Sequence, residues 1–351
     1  MKKVKFGILG LGRVVDYRVA KVFKQELKNS EVIAVCDKDK IKINKFRNIF
    51  NCNGFYSIKN FMKQDFDYVY IATESGNHYK HILEAFAYNK NVIVEKPPVL
   101  KINQLIKLHK LSKEKKLKFY AIFQNRYNKS VQYLKKKITE IKKDIVTVNL
   151  NLYWSRPQEY YSDWHGKWNL DGGVLAQQGI HYVDLLNYLL GDPIKCISQI
   201  SNKSNKLQAE DTNNSMIVYK NNVCCMTSLT TALRPKDLTA TIELVTTKKI
   251  YKLHGLCCNK LSITQNNSKK KFKLINKKFS EEVPSGYGLS HRVVFQNIID
   301  DELKKKKKEL TLAINTLNTV KLVNMIYRSY ELSRWVYYKE KNIYSKLGNQ
   351  N

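Results

Sequence analysis

Two closely spaced glycines follow the first buried segment of the chain, and they constrain the fold more than any other feature. The run Val4–Leu9 is almost entirely apolar, and Gly10 and Gly12 come directly after it in GILGLGRVV. Glycines at this spacing give a tight turn and let the backbone approach a pyrophosphate, which the amides of the next helix then bind. Val15 stands where the fingerprint has a third glycine or an alanine. The segment predicts a dinucleotide-binding strand–turn–helix unit.

Four more apolar runs follow in the first third of the chain, with helical patterns between them. Unbroken apolar strands that alternate with helices are typical of a parallel sheet covered on both faces. Such a sheet binds its ligands at the carboxyl ends of the strands. The predicted strands are Val4–Leu9, Val32–Cys36, Tyr68–Ala72, Val92–Val94 and Phe119–Phe123, and the predicted helices are Val14–Leu27, Lys40–Phe50, Asn77–Tyr88 and Ile102–Lys116.

An acidic residue ends the second predicted strand. Asp37 lies 25 residues after Gly12, near the spacing of the carboxylate that accepts hydrogen bonds from the adenosine ribose. A carboxylate repels a 2′-phosphate, so this position favours NAD over NADP, although Lys38 beside it weakens the preference. The alternative is that Asp37 is a simple turn residue.

The next two strands each lead into a motif. Together they read IATESGNHYKHILEAFAYNKNVIVEKP, from Ile71 to Pro97. This resembles the glucose–fructose oxidoreductase, inositol dehydrogenase and rhizopine-catabolism (Gfo/Idh/MocA) family, whose pattern is an AT-x-x-x-x-H loop, a helix and K-x-V-x-x-EKP. The resemblance covers essentially the whole chain. It implies α/β architecture with an N-terminal Rossmann domain and a C-terminal α/β domain whose open sheet is mostly antiparallel. It also implies bound nicotinamide and oxidation of a sugar or polyol hydroxyl.

Lys96 follows the fifth predicted strand, over the crevice where the nicotinamide must lie. Hydride transfer from a carbinol carbon needs a base for the hydroxyl proton. A partly desolvated lysine can exchange protons, and as an ammonium it can stabilise a developing alkoxide. We therefore expect Lys96 to be a catalytic residue. Glu95 is expected to have a structural role or to tune Lys96. Pro97 is expected to fix the turn, and the Lys96–Pro97 peptide bond can be cis.

Beyond Phe123 the patterning changes. Alternation in Val146–Trp154 predicts an antiparallel strand with one buried face. A sheet with helices on one face leaves the other face free, and this predicts a homodimer or homotetramer. The expected domains are 1–123, binding NAD, and 124–351, binding substrate. Further predicted strands are Lys195–Ser201, Ser215–Tyr219, Val223–Thr231, Thr239–Thr246, Lys249–His254 and Leu261–Thr264, and the late helices are Leu289–Leu303 and Leu310–Leu332.

The segment DGGVLAQQGIHYVDLL carries the second candidate catalytic residue. In the family the histidine of an H-x-x-D pair is catalytic, and His181 and Asp184 match it. A buried core histidine is the alternative. Inositol dehydrogenases carry an aspartate four residues before this histidine and the sugar-nucleotide enzymes tend to carry asparagine, but here the residue is Gln177. An amide cannot take up a proton, which argues against an inositol dehydrogenase and places more acid–base duty on Lys96.

Within the family, the sequence most resembles sugar-nucleotide dehydrogenases that oxidise C3 of UDP-N-acetylglucosaminuronic acid for surface-polysaccharide biosynthesis. QNRYN at 124–128 and the aromatic segment 154–168 carry this resemblance, although His165 replaces an expected arginine. Arg126 and Arg156 would hold a carboxylate or diphosphate, unless Arg156 pairs with Glu159 or Asp163. The implied cofactor contacts are Gly10, Gly12, Arg13, Val14, Asp37, Lys38, Thr73, His78, Glu95, Lys96, Gln124 and Trp164, and the implied substrate contacts are Lys96, Asn125, Arg126, Arg156, Tyr160, Gln177, His181 and His291.

The formal net charge of +32 favours an anionic substrate. Lysines outnumber arginines by 53 to nine, which argues against a dedicated nucleic-acid partner. Seven cysteines without a CxxC motif, no cleavable leader and no long apolar run indicate a cytoplasmic protein with no membrane partner, and no metal site is expected. The alternatives are a dehydrogenase of a free sugar or inositol, and a non-catalytic NAD-binding regulator.

Overall fold

The chain forms two compact units. The computed structural model describes residues 2–265, 272–305, 309–340, 344 and 346–349. The first unit comprises Met1–Gln124 and Leu289–Leu317, and the second comprises Asn125–Gly288 and Asn318–Asn351. The division expected from the sequence, at 123/124, differs from these units in two respects, because Gln124 and the late segment 289–317 both belong to the first unit.

Strands and helices alternate in the first third of the chain, and strands dominate the middle. The strands are β1 (Val4–Leu9), β2 (Ser30–Cys36), β3 (Asn53–Phe55), β4 (Tyr68–Ile71), β5 (Asn91–Val94), β6 (Phe119–Ala121), β7 (Ile145–Tyr153), β8 (Pro193–Ser201), β9 (Thr212–Tyr219), β10 (Cys224–Thr230), β11 (Thr239–Thr246), β12 (Ile250–His254), β13 (Lys260–Thr264) and β14 (Val336–Tyr337). The α-helices are α1 (Lys40–Phe50), α2 (Ile58–Met62), α3 (His78–Ala87), α4 (Ile102–Glu114), α5 (Lys129–Ile141), α6 (Ile180–Leu190), α7 (Lys273–Lys278), α8 (His291–Glu302) and α9 (Leu317–Leu332). Helical turns of the π type occupy Val15–Val19, Val22–Glu26 and Leu175–Gly179.

The sheet of the first unit is parallel throughout, in the order β3-β2-β1-β4-β5-β6. This confirms the predicted Rossmann-like sheet. The strand order reverses between β1 and β4, and a ligand crevice forms outside the carboxyl ends of strands at such a reversal. The turns that carry Gly10, Asp37, Thr73 and Lys96 all leave the sheet at this edge.

Aromatic packing joins the segment 289–317 to the first unit. The ring of Phe295 in α8 lies 4.8 Å from that of Phe23, which lies 4.9 Å from that of Phe6 in β1. The hydroxyl of Tyr68 donates to Glu302 at the end of the same helix (2.7 Å). These contacts bury α8 against the parallel sheet, and they connect residues too far apart in sequence for a local pattern to predict.

One predicted helix begins later than expected. The apolar pattern predicted Leu310–Leu332, whereas α9 begins at Leu317. Thr311 accepts a hydrogen bond from the amide of Ala121 (3.1 Å), and Leu312 forms an antiparallel bridge with Tyr120. The prediction is wrong for these first residues because pairing with the edge strand β6 outweighs their helical pattern.

The second unit contains an eight-stranded mixed sheet in the order β13-β12-β11-β7-β10-β9-β8-β14. Among its described pairs, β7 and β10 run parallel and the others run antiparallel, which confirms an open, mostly antiparallel sheet. Val148, Leu150 and Leu152 of β7 are buried, and the intervening Asn149 and Asn151 are half-buried. The predicted alternation is therefore present from Val148 to Leu152, whereas Val146, expected on the buried face, is exposed. The expected antiparallel pairing holds with β11 but is wrong for β10, which runs parallel to β7.

Two lysines of the second unit donate hydrogen bonds to backbone carbonyls of α6. The ammonium of Lys142 donates to the carbonyl of Leu190 (2.9 Å), and that of Lys135 donates to the carbonyl of Tyr188. Both carbonyls belong to the last turn of α6, where cations stabilise a helix. No helix among the described residues has the length and apolar character needed to cross a membrane.

Candidate active site

The glycine turn after β1 has the shape that a dinucleotide requires. Gly10 has φ +90°, and an added Cβ would lie 2.6 Å from the carbonyl carbon of Ala72 and 2.7 Å from the amide nitrogen of Thr73. A side chain is therefore excluded at Gly10. The Cβ position of Gly12 has no neighbouring atom within 4 Å. Arg13 and Val14, both predicted cofactor contacts, begin the helix beside this open space.

The carboxylate of Asp37 is fixed by the glycine turn. Its Oδ2 accepts from the amide of Leu11 (2.7 Å), and its Oδ1 accepts from the amide of Asp39 (2.9 Å). The neighbouring Lys38 pairs with Glu74 (2.6 Å), which offsets its attraction for a 2′-phosphate. Asp37 is thus held at the end of β2, where a ribose-binding carboxylate belongs.

A buried amide oxygen adds to the fit for a dinucleotide. Gln124 is buried, and its Oε1 has no hydrogen-bond partner among the described residues. An unsatisfied buried acceptor is costly, so a bound donor such as a carboxamide would relieve it. Together with the glycine turn and Asp37, this residue fits NAD.

His78 connects the two family motifs. Its Nδ1 donates to the carbonyl of Pro97 (2.7 Å), and its Nε2 lies 3.1 Å from the carbonyl of Thr73. The ring is buried, and burial lowers the pKa of His78. Thr73 also bonds to Nδ1 of His81 through its hydroxyl (2.9 Å). Direct contacts of His78 and Thr73 with a cofactor stay predictions. The bond of His78 to Pro97 gives the motif histidine a structural role, because it fixes the Lys96–Pro97 turn.

Lys96 follows β5, next to a group of buried polar side chains. The Lys96–Pro97 peptide is cis, as the sequence suggested. Glu95 is buried, and it accepts hydrogen bonds from the hydroxyl of Tyr70 (2.7 Å) and from the amide of Lys96 (3.3 Å). His291, a predicted substrate contact, is fully buried beside Glu95, with its Nε2 3.6 Å from the carboxylate.

In the second unit, Gln177 and His181 share a face of one helix. They lie four residues apart, which places them on one face. From Gly172 to Leu186 the chain is buried except at these two half-buried positions. A structural histidine would be as buried as its neighbours, so this pattern supports a functional role for both residues.

A buried carboxyl explains the glycine pair before this helix. Oε1 of Glu210 accepts from the amide of Leu175 (3.0 Å) and from the hydroxyl of Tyr327 (2.9 Å). At Gly173 an added Cβ would lie 2.2 Å from both the carbonyl oxygen and Oε2 of Glu210. Glu210 therefore acts as a remote cap for the segment that leads to His181, and no local sequence signal indicates this role.

We expect Glu210→Gln to flatten the pH dependence of stability. Burial raises the pKa of Glu210 to about 8, so the folded state favours the protonated carboxyl. Its stabilising contribution is full below the ordinary pKa of 4.5 and is lost as the pH rises through 8. Between pH 5 and 8, the wild type should lose roughly 3 kcal/mol relative to the glutamine variant. Urea unfolding at both pH values measures this difference, and parallel curves would contradict it.

Arg126 lies in a buried ion pair. Its Nε and Nη2 donate to Oδ2 and Oδ1 of Asp184 (2.7 and 2.5 Å), and the hydroxyl of Thr319 donates to Oδ1 (2.8 Å). Asp184, the aspartate of the H-x-x-D pair, is thus bonded to Arg126. Substrate binding by Arg126 stays a prediction, but its placement favours a role in fixing α6. Asn125 is buried, and its Oδ1 has no partner among the described residues.

The aromatic segment 154–168 forms a packed polar surface. The guanidinium of Arg156 lies 4.9 Å from the ring of Trp154 and pairs with Asp237 (2.9 Å), a partner that the sequence did not indicate. The hydroxyl of Tyr160 accepts from Nε2 of Gln177 (3.1 Å). This bond joins the aromatic segment to the face that carries His181.

A stacked pair of rings completes this surface. The rings of Trp164 and His165 are stacked with centroids 4.0 Å apart, and Nδ1 of His165 lies 2.5 Å from Asp163. His165 is buried whereas Trp164 is half-buried. His165, which is held by Asp163, thus packs against the ring of Trp164 and orients that ring for stacking against a ligand. A contact of Trp164 with the cofactor stays a prediction.

Comparisons with known proteins agree with this fold. Residues 4–123 match the oxidoreductase family described by its NAD-binding Rossmann fold, and residues 135–337 match its C-terminal alpha/beta domain. Two WlbA dehydrogenase structures in complex with NADH and UDP-GlcNAcA, from Chromobacterium violaceum and Bordetella pertussis, are each 25% identical with a TM-score of 0.86. Each covers 96% of this chain, which covers 96% and 98% of theirs.

Alignments to curated proteins cover less of the chain. Oxidoreductase P35 of Formosa agariphila is 23% identical over 63% of this chain and 70% of its own length. Alignments to two further curated oxidoreductases span 30% and 48% of those proteins.

The fold, the glycine turn and the matched family profiles define an NAD-dependent dehydrogenase. Among the described residues there is no group of three or more His, Cys, Asp and Glu side chains that could hold a metal ion. The chain belongs to the Gfo/Idh/MocA oxidoreductase family, over both its Rossmann and its C-terminal domains. It is an NAD-dependent sugar oxidoreductase of that family.

Proposed function

We propose that this dehydrogenase oxidises the C3 hydroxyl of a nucleotide-linked sugar such as UDP-N-acetylglucosaminuronic acid, in surface-polysaccharide biosynthesis. The observation that carries the proposal is the surface formed by Trp154, Arg156, Tyr160 and Trp164 and joined to Gln177. Such an array of rings and a guanidinium suits a nucleotide sugar better than a small polyol. The likeness to the WlbA dehydrogenases, which bind UDP-GlcNAcA, supports the same substrate class.

The proposed chemistry assigns the proton to Lys96. NAD, when bound, supplies the hydride acceptor. Lys96 takes the hydroxyl proton as the alcohol becomes a ketone, and its ammonium stabilises the developing alkoxide. His181 hydrogen-bonds the reacting sugar, oriented on the face that it shares with Gln177. Because Gln177 is an amide, it positions the sugar without exchanging a proton.

The overall charge fits an anionic substrate. A net charge of +32 raises the local concentration of a diphosphate or carboxylate. The guanidinium of Arg156 adds a positive charge at the aromatic surface, although Asp237 offsets part of that charge. We therefore expect a sugar that carries both a nucleotide diphosphate and a uronic carboxylate to be preferred.

A substrate screen tests this proposal. The purified chain with NAD is offered UDP-N-acetylglucosaminuronic acid, UDP-N-acetylglucosamine, UDP-glucuronic acid, free N-acetylglucosamine and scyllo-inositol, and NADH formation is followed. We expect the nucleotide-linked acids to be oxidised fastest, with the ketone located at C3 by NMR. Oxidation of inositol or a free sugar alone would instead favour the alternative dehydrogenase. Tight NADH binding without any oxidation would favour a regulator.

We also propose a homodimer or homotetramer. A groove on the sheet of the second unit is lined by polar and flexible side chains, among them Asn149, Asn151, Asn214, Met216 and Met226. A second copy of the chain would cover it. Light scattering on the purified protein gives the mass, and a monomer at micromolar concentration would contradict the proposal.

A further inference from the structure

Three buried groups, Tyr70, Glu95 and His291, meet just after β5, next to Lys96 in the chain. Oε1 of Glu95 accepts from the hydroxyl of Tyr70 (2.7 Å), and Nε2 of His291 lies 3.6 Å from the same oxygen. Oε2 of Glu95 accepts from the backbone amide of Lys96 (3.3 Å). All of these groups belong to the first unit.

The surroundings of Glu95 are well defined. Tyr70 approaches from β4, His291 is the first residue of α8, and Lys96 is the next residue along the chain. His78, the first residue of α3, interacts electrostatically with the same carboxylate. Among the described residues, His291, Tyr70, Lys96 and His78 are titratable groups that interact with Glu95. His291 lies 196 residues from Glu95 in sequence, so α8 brings a distant group to the end of the strand that carries the lysine.

The neighbours keep the buried carboxylate charged. Burial acts to raise the pKa of Glu95, but His291 and the hydroxyl of Tyr70 outweigh it, and the pKa is held below its ordinary value. A charged carboxylate beside Lys96 stabilises the ammonium form of the lysine. His291 thus influences the lysine through the carboxylate between them.

We propose that His291 is a positioning residue that acts through Glu95 and thereby sets the pH at which Lys96 exchanges its proton. The proposal rests on the role that the proposed function gives to Lys96. Without His291, burial favours the neutral carboxylic acid at position 95. The ammonium of Lys96 then loses its counter-charge, and its proton leaves at lower pH. Glu95→Gln should have the same effect, because it removes the charge directly.

Competitive acetylation measures the titration of Lys96 without any substrate. The full chain is labelled at a series of pH values, and the extent of acetylation of the peptide that contains Lys96 is read by mass spectrometry. We expect His291→Gln and Glu95→Gln each to move the titration of Lys96 down by about one pH unit. The double variant should move it no further than either single variant, because the two residues act in series.

Ile298→Val is the matched control. This residue is buried on the same helix, α8, and its replacement loosens packing without altering a charged group. It should lower the unfolding midpoint and leave the titration unchanged. Tyr70→Phe provides a second route should His291→Gln fail to fold, since it removes one hydrogen bond to Glu95 and should move the titration in the same direction by less.

The outcomes separate this inference from the proposed function. An unchanged Lys96 titration in both His291→Gln and Tyr70→Phe, or additive shifts in the double variant, would overturn the inference even if nucleotide sugars are oxidised. A shifted titration without oxidation of any nucleotide sugar would retain the inference and overturn the substrate. With an active substrate in hand, the acid limb of kcat should move with the titration.

Discussion

Lys96→Ala is expected to lower kcat by about 10²–10⁴-fold, the range lost when a positioned proton acceptor is removed. Lys96 follows β5 at the sheet edge where the glycine turn and Asp37 also lie, and its turn is fixed by His78 through Pro97. Steady-state oxidation of the best substrate from the screen measures the effect, and NADH fluorescence titration shows whether the cofactor still binds.

A lysine at the opposite end of the same strand provides the control. Lys90 precedes β5 and donates to the carbonyls of Gln64 and Phe66 (2.7 and 3.1 Å). Lys90→Ala should reduce stability but leave kcat unchanged. Full activity in the Lys96 variant would contradict the mechanism, and an equal loss in both variants would indicate a general effect of lost lysine contacts.

Gly173→Ala is expected to destabilise the second unit by at least about 3 kcal/mol, at the upper end of overpacking costs. The new methyl group would lie 2.2 Å from the carbonyl oxygen of Glu210, which is backbone and accepts from the amide of Val174 (2.9 Å). Relief requires the helix that carries Gln177 and His181 to move away. Urea unfolding should therefore show an earlier transition, accompanied by loss of activity.

Gly286→Ala separates steric conflict from the general effect of a methyl group. The nearest atom to its added Cβ is the carbonyl oxygen of Leu256 at 3.8 Å, an ordinary contact. This variant should unfold like the wild type. If Gly173→Ala were equally stable, the close packing of Glu210 against the glycine would not constrain the chain.

Much of the fold follows from local patterns. The buried strands β1, β4 and β5 are continuous apolar runs, and the alternation in β7 survives in its buried and half-buried positions. The missed elements are short: β3 has three residues, β14 has two, α2 has five and α7 has six, which is too few for a periodic pattern. The error at Leu310 arose because pairing with a distant strand overrode a helical pattern.

The candidate site shows the same division. The glycine turn, Asp37 and the EKP motif are contiguous signals, so the sequence alone placed them correctly at the ends of strands. The partners of Arg126, Arg156 and His291 were not predictable, because each pairing joins residues at least 58 positions apart and depends on the tertiary packing of distant segments. Glu210 is the extreme case: nothing in its local sequence distinguishes a buried cap from an exposed loop acid.

The lysines at the end of α6 have a practical consequence for handling this protein. A strongly basic chain invites engineering or chemical acetylation to reduce its charge, on the assumption that all lysines are solvated. Lys135 and Lys142 instead serve as the C-terminal cap of the helix that carries His181. Charge reduction that spares these two positions should preserve the active-site helix, whereas indiscriminate modification removes its cap together with the unwanted charge.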